Sequence, residues 1–332
     1  MKDCITLAHG SGGRDYRELV ETIFAPAFQN EFLSPLTDAA ILPAGERIAM
    51  TTDGFVVKPL FFPGGDIGRL AICGTVNDLA VSGAVPRYLS FAMILEAGLP
   101  LETLRRVVAS MAAAASEAGV VIVTGDTKVV EAGGVDGLTI TTAGIGVFPA
   151  DCAIPPQQPQ TGDVILCSSP IASHGMAVMA ARHNLSFDPA IESDVRPLGR
   201  IIRAVLDAGV TVRAMRDPTR GGVAGTLTEW AGSTLDITLE EASLPVRADA
   251  RAACSILGID PVYVANEGVA LFSVPAEEAE RALAALRAMP GCEAAAIIGS
   301  VREGRGNVFA RTPIGTFRRV LPPSGELLPR IC

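Results

Sequence analysis

Residues Ala153-Ile154-Pro155-Pro156-Gln157-Gln158-Pro159-Gln160-Thr161-Gly162 carry no hydrophobic period and three prolines, in a 332-residue chain that is patterned elsewhere. Proline supplies no backbone N–H, so neither a helix nor a central strand runs through such a stretch. The chain on either side must then bury a core of its own, and each half is long enough to do so. The expected organisation is an N-terminal domain over 1–152, a linker over 153–162, a C-terminal domain over 163–310 and a C-terminal segment over 311–332.

Within both halves Gly-rich loops alternate with short apolar runs and helical stretches, which reads as α/β or α+β. Asp15 to Phe28 has helical spacing, Ile48 to Thr52 reads as a short strand running into Asp53, and Gly68 to Ser82 as a buried helix. Tyr88 to Glu96, Val120 to Val123 and Gly137 to Phe148 read as strands. Leu101, Leu104, Val107, Val108 and Met111 share one face of a helix ending near Gly119,. Beyond the linker, strands are predicted at Val164–Cys167, Val269–Val274 and Ala295–Ile298. Helices are predicted at Gly175–His183, Leu198–Ala208, Thr219–Gly232 and Glu277–Met289.

A formal net charge of -9 excludes nucleic acid as a main partner, because phosphate backbones need a basic face,. No apolar run approaches the roughly 18 residues of a membrane span, and the start lacks the apolar core of a signal peptide. The seven cysteines are scattered, odd in number and never in a C-x-x-C pair, a pattern that suits a reduced, cytoplasmic protein,. The last of them, Cys332, ends the chain after Pro329-Arg330-Ile331. Chain ends are usually loose, but a terminal thiol can also be carried into an active site as a nucleophile. It is not a prenylation box, whose cysteine stands fourth from the end.

Four aspartates sit where apolar segments break: Asp38, Asp53, Asp78 and Asp126. Any one of them would ordinarily cap a helix or form a turn. Together they offer the hard oxygen ligands that Mg²⁺ needs, with Lys128 as a compact positive charge for a triphosphate. Asp78, beside Asn77 in an apolar helix, is the firmest, since an unpaired charge there would be costly. Gly10-Ser11-Gly12-Gly13 resembles a phosphate-approach loop, although no Walker loop occurs anywhere,. Gly64-Gly65-Asp66-Ile67-Gly68 reads as a helix start, and Asp217-Pro218-Thr219-Arg220-Gly221-Gly222 equally as a helix start or a ligand-facing loop,. On residues alone Glu267 is a turn glutamate or a buried base, and His9, His174 and His183 share no metal-ligand spacing.

Several of these segments, taken in order, are similar to the HypE family of hydrogenase maturation factors, within the PurM-like ATP-binding superfamily. They are His9 to Gly13, Thr51 to Val57, Phe61 to Gly68, Gly74 to Ala80, Thr124 to Val130, Asp217 to Gly222, Asn266 to Gly268 and the terminal Pro329 to Cys332. The terminal segment is the specific element, because other members of the superfamily lack it. The resemblance implies a PurM-like two-domain α/β (α+β) architecture: an N-terminal sheet that pairs across a homodimer, a C-terminal α/β domain behind it, an ATP cleft between, and a mobile tail. It implies ATP-dependent dehydration of an S-carboxamide on Cys332 to S-cyanide. The carbamoyltransferase HypF would load the thiol, and a HypC–HypD iron scaffold would receive the cyanide. By the same resemblance Asp38, Asp53, Asp78 and Asp126 would hold Mg²⁺. Gly10, Gly12, Gly13, Asn77 and Gly125 would join Asp53, Asp78, Asp126 and Lys128 around ATP, with Glu267 or Lys128 as base. A selenophosphate synthetase-like or thiamine-phosphate kinase-like enzyme is the alternative, although Cys4 lacks the context of a reactive synthetase thiol. A non-catalytic thiol carrier would leave the acidic array without a task.

Overall fold

The computed structural model describes residues 4–6, 18–31, 47–149, 155 and 157–323. The expectations for Gly10, Gly12, Gly13, Asp38 and Cys332 fall outside the described residues. A π-helical turn over Val20–Phe24 runs into an α-helical turn at Ala25–Ala27, within the helix expected there.

The N-terminal half then supplies β1 (Ile48–Phe55), the short β2 (Phe61–Phe62) and β3 (Gly65–Asp66), α1 (Ile67–Val81), β4 (Val85–Glu96), α2 (Leu101–Ala118), β5 (Val121–Val130) and β6 (Leu138–Val147). Four strands form a sheet in the order β1-β6-β4-β5, antiparallel except for β4 and β5. Those two are parallel because α2 carries the chain back between them. In β4 Leu89, Phe91, Met93 and Leu95 are buried while Ala92 and Ile94 are exposed, so one face packs on α1 and α2 and the other stays open,. Asp66 caps α1 by accepting hydrogen bonds from the Gly68 and Arg69 N–H groups,. This helix is apolar nearly all round because it is enclosed on both sides. Its end, Ala80 and Val81, packs with Ile201 and Ile202 of the C-terminal half.

That half contains β7 (Asp163–Cys167), α3 (Ser173–Arg182), α4 (Gly199–Asp207), β8 (Ala214–Arg216), α5 (Gly222–Ala231), β9 (Leu235–Glu240) and α6 (Ala248–Leu257). It continues with β10 (Leu271–Pro275), α7 (Ala279–Arg287), β11 (Ala296–Glu303), β12 (Val308–Arg311) and β13 (Phe317–Val320). Its seven strands lie in the order β13-β12-β9-β11-β7-β10-β8, with only β9 and β12 parallel. Leu227 and Trp230 of α5 cover one face, and Val205, Leu283 and Leu286 of α4 and α7 the other. The two halves share apolar packing, since Val178, Val195 and Ala265 join the N-terminal core. No helix among the described residues is long and apolar enough to cross a membrane.

Two expectations need correction. Asp53 and Asp126 do not end their strands, because β1 continues to Phe55 and β5 to Val130. Asp126 alternates onto the open face of an edge strand, whereas Asp53 lies on the helix-facing side, where its carboxylate accepts the Gly54 N–H,. Helix α5 begins at Gly222 rather than Thr219, because Gly221 adopts a left-handed conformation (φ 79°) that holds Asp217–Arg220 as a loop,.

Candidate active site

A cleft of about 710 Å³ opens between β1 and α1 on one side and the β8–α5 loop on the other. Strand β1 contributes Thr51 and Asp53, α1 contributes Gly74 and Asp78, and the loop contributes Arg216, Asp217, Thr219 and Arg220. Glu267 closes the floor from the turn before β10. Asp53 is registered opposite the buried Thr142, so its side chain is on the helix-facing side of the sheet. Its Oδ1 accepts the Gly54 N–H at 3.1 Å, while Thr51 Oγ1 donates to Asp78 Oδ2 at 2.9 Å.

Asp53, Asp78, Asp217 and Glu267 therefore share one hollow, with Glu229 at its edge in an ion pair to Arg216 at 2.6 Å. Burial raises Asp53 above the usual carboxylate range, reinforced by the Asp78 charge,. Burial likewise raises Asp78, opposed by the Thr51 hydrogen bond and by Arg216 and Arg220. Asp217 is pushed up to about 7 by burial and then by Asp78. Glu267, 2% exposed, is raised well above its ordinary value by burial and then by Asp217. Among the described residues no three His, Cys, Asp or Glu side chains converge into a metal cage. The hard oxygens of Asp53 and Asp78 nonetheless suit Mg²⁺, which keeps several ligands from water or phosphate. The donor set fits an ion that arrives with a polyphosphate.

Asn77, expected to join the nucleotide contacts, does not line the cleft. It is fully buried, and its Nδ2 donates to the Arg196 and Glu267 carbonyls at 3.1 and 3.2 Å while its Oδ1 accepts the Leu198 N–H at 2.8 Å. Its amide stitches α1 to the C-terminal half. Gly125, Asp126 and Lys128 lie on β5, at the opposite edge of the sheet from β1 and about 14 Å away across three strand spacings,. Gly125 stands against the Phe91 ring, and Asp126 pairs with Lys128 at 3.3 Å on the open face. None of the three lines the cleft of its own chain. Sequence reasoning assigned no individual role to Asp217, Thr219 or Arg220, although it singled out the motif that holds them.

The chain leaving β13 is held at the cleft's rim. Tyr263 Oη donates to the Leu321 carbonyl at 3.0 Å and accepts its N–H at 3.1 Å. Pro323 rests on Gly221 so closely that a Cβ there would lie 2.7 Å from the ring. Gly221 is the neighbour of the cleft residue Arg220, so the root of the last nine residues is beside the hollow.

This fold and acidic cleft define a two-domain protein of the AIR synthase-related class. Residues 36–148 match the family model "AIR synthase related protein, N-terminal domain", and 160–311 match "AIR synthase related protein, C-terminal domain". Within that class the chain belongs to the HypE family. It is 50% identical to carbamoyl dehydratase HypE of Azotobacter vinelandii, covering 99% of this chain and 97% of the relative. A crystal structure of hydrogenase maturation protein HypE in complex with ATP superposes with a TM-score of 0.94 at 46% identity, covering 98% of this chain and 99% of that one. The HypE subunit of a HypE–HypF complex matches with a TM-score of 0.80 at 46% identity, covering 92% and 99% respectively.

Proposed function

We propose that this protein is an ATP-dependent carbamoyl dehydratase whose substrate is the S-carboxamide borne by its own Cys332. One observation carries the reading: the tail is rooted at the rim of a carboxylate-lined cleft. Nine extended residues reach about 30 Å from Pro323, enough to bring the terminal sulfur inside,. The described thiols at Cys73, Cys167, Cys254 and Cys292 are pushed up by burial, which disfavours the thiolate and leaves none of them a ready competitor,.

A carboxamide oxygen is a poor leaving group. It attacks the γ-phosphorus of ATP, ADP leaves, and one nitrogen proton is lost to give an O-phosphorylated imidate. Removal of the second nitrogen proton breaks the C–O bond, expels phosphate and closes the C≡N bond. Glu267, with its raised proton affinity, is the base we assign. Asp53 and Asp78 would hold Mg²⁺, which supplies charge neutralisation at the triphosphate. Arg216 and Arg220, which line the same cleft, would meet those phosphates, and by family resemblance Asp38 is assigned to Mg²⁺ and Gly10, Gly12 and Gly13 to the nucleotide.

Lys128 and Asp126 enter this scheme through a homodimer. The open sheet face exposes Met50 (71%), Ile48 (50%) and Ile94 (39%), apolar area that a second copy would cover,. A two-fold pairing of these faces would set β5 of one subunit over β1 of the other, and Lys128 would then serve the neighbouring cleft. HypF is the proposed loading partner and a HypC–HypD scaffold the proposed acceptor, in the cytoplasm. The test incubates the full chain with HypF, carbamoyl phosphate and ATP, then weighs the C-terminal peptide. The expected course is gain of a carbamoyl group and then loss of one water. Cys332→Ala should abolish both changes, and a carbamoyl adduct that never dehydrates would point to a carrier instead.

A further inference from the structure

The segment Ser193–Leu198 carries hydrogen bonds out of proportion to its length. The Ser193 N–H bonds the Pro63 carbonyl at 2.9 Å, Arg69 Nε donates to the Val195 carbonyl at 2.9 Å, and the Leu198 N–H bonds Asn77. On its other side Asp194 Oδ2 accepts the N–H groups of Glu267 and Gly268 at 3.2 and 2.9 Å. The Glu267 carbonyl is taken by Asn77 Nδ2 and the Arg196 N–H, and the Gly268 carbonyl by Arg196 Nε and Ser169 Oγ. Every backbone polar group of Glu267 and Gly268 is thereby tied, while the Glu267 side chain faces the cleft. Approach is so close that a Cβ on Gly268 would stand 1.8 Å from the Asp194 carbonyl oxygen.

This arrangement costs stability. Asp194 Oδ1 is buried without a hydrogen-bond partner among the described residues, and such an atom carries its full desolvation penalty. A carboxyl group buried at that cost, with its other oxygen on two amides, is the kind of local conflict expected at a site held for function,.

We propose that Asp194 is a positioning residue for the dehydration: by gathering two N–H groups on one oxygen it fixes the Glu267–Gly268 backbone and aims the Glu267 carboxyl at the substrate nitrogen. The inference rests on Glu267 as the base. Through Asn77, Pro63 and Arg69 the same strap makes that aim depend on the N-terminal domain being seated, so the base is set only when both walls of the cleft are in place.

The test uses full-length protein carbamoylated on Cys332 with HypF, carbamoyl phosphate and ATP, and follows one turnover by the mass of the C-terminal peptide. Asp194→Ala should slow dehydration tenfold or more while the KM for ATP stays within twofold. Asp194→Asn retains an amide oxygen that accepts both N–H groups, and should return the rate to within threefold of the wild type. Should Asp194→Ala fold too poorly to assay, the asparagine variant decides alone: an inactive protein that still binds ATP overturns the inference. An unchanged rate in Asp194→Ala, or equal loss of rate and ATP affinity, overturns it as well. Glu267→Gln separates the two ideas. If it dehydrates normally the base assignment itself falls; if it is inactive while Asp194→Ala is normal, only the positioning role falls.

Discussion

Asp217 illustrates how the cleft pays in stability for its chemistry. In the folded protein it keeps its proton to about pH 7, against an ordinary value of 3.8 in the unfolded chain. The unfolded state therefore ionises first, and stability falls as pH rises from about 4 to about 7. Asp217→Asn is expected to raise the unfolding midpoint of the nucleotide-free protein at pH 8 and leave it nearly unchanged at pH 4, measured by thermal melts. A melt difference independent of pH would sink that account. The cysteines give a second prediction at this scale. With four of the five described thiols buried and Cys4 half-buried, carbamoylation should map to Cys332, and peptide mapping that finds the label on Cys4 or Cys254 would contradict it.

Among the elements, α1 bears most of the organisation: it packs on the N-terminal sheet, lends Asp78 to the cleft and sends Asn77 into the strap. Asn77→Ala should therefore lower stability by about 2–4 kcal/mol in urea unfolding, since three buried partners lose their bonds,. ATP affinity in the folded variant should change little, and a selective loss of ATP binding would restore the nucleotide role. The helix itself was legible as an apolar run with Asn77 and Asp78 embedded in it, yet the reason for each polar residue was not. Periodicity reports which face is buried and is silent about which partner waits there. The same limit explains the strands. The sequence reads β5 as ending at Val123 because Gly125, Asp126 and Lys128 break the apolar run, although Asp126 and Lys128 lie on the open face of an edge strand and Gly125 makes room for the Phe91 ring. β8 has three residues, too few for any period to declare itself. β9 does alternate Leu235, Ile237 and Leu239 with polar residues and could have been found.

For the whole molecule the proposed homodimer raises the question of which subunit's groups would meet in one cleft. Pro323 and Tyr263 root the tail beside its own hollow, whereas Lys128 lies on the far edge of the sheet. Co-expressing Cys332→Ala with Glu267→Gln should give mixed dimers without dehydration, because the one intact tail would face a cleft lacking the proposed base. Co-expressing Cys332→Ala with Lys128→Ala should restore activity, because the neighbour supplies the lysine. Activity in the first mixture would show the tail crossing between subunits, and none in the second would remove Lys128 from the neighbouring cleft. The sequence by itself determined the α/β class, most of the elements in the N-terminal half and the motifs at Asp53, Asp78, Asp217 and Glu267, because those follow from local pattern and residue chemistry. Only the tertiary structure decided that Asn77 is a stitch, that Asp194 holds the turn before β10, and that Lys128 stands away from its own cleft. Those are contacts between residues far apart in the chain, and only the packing of sheet, helix and strap brings such residues together.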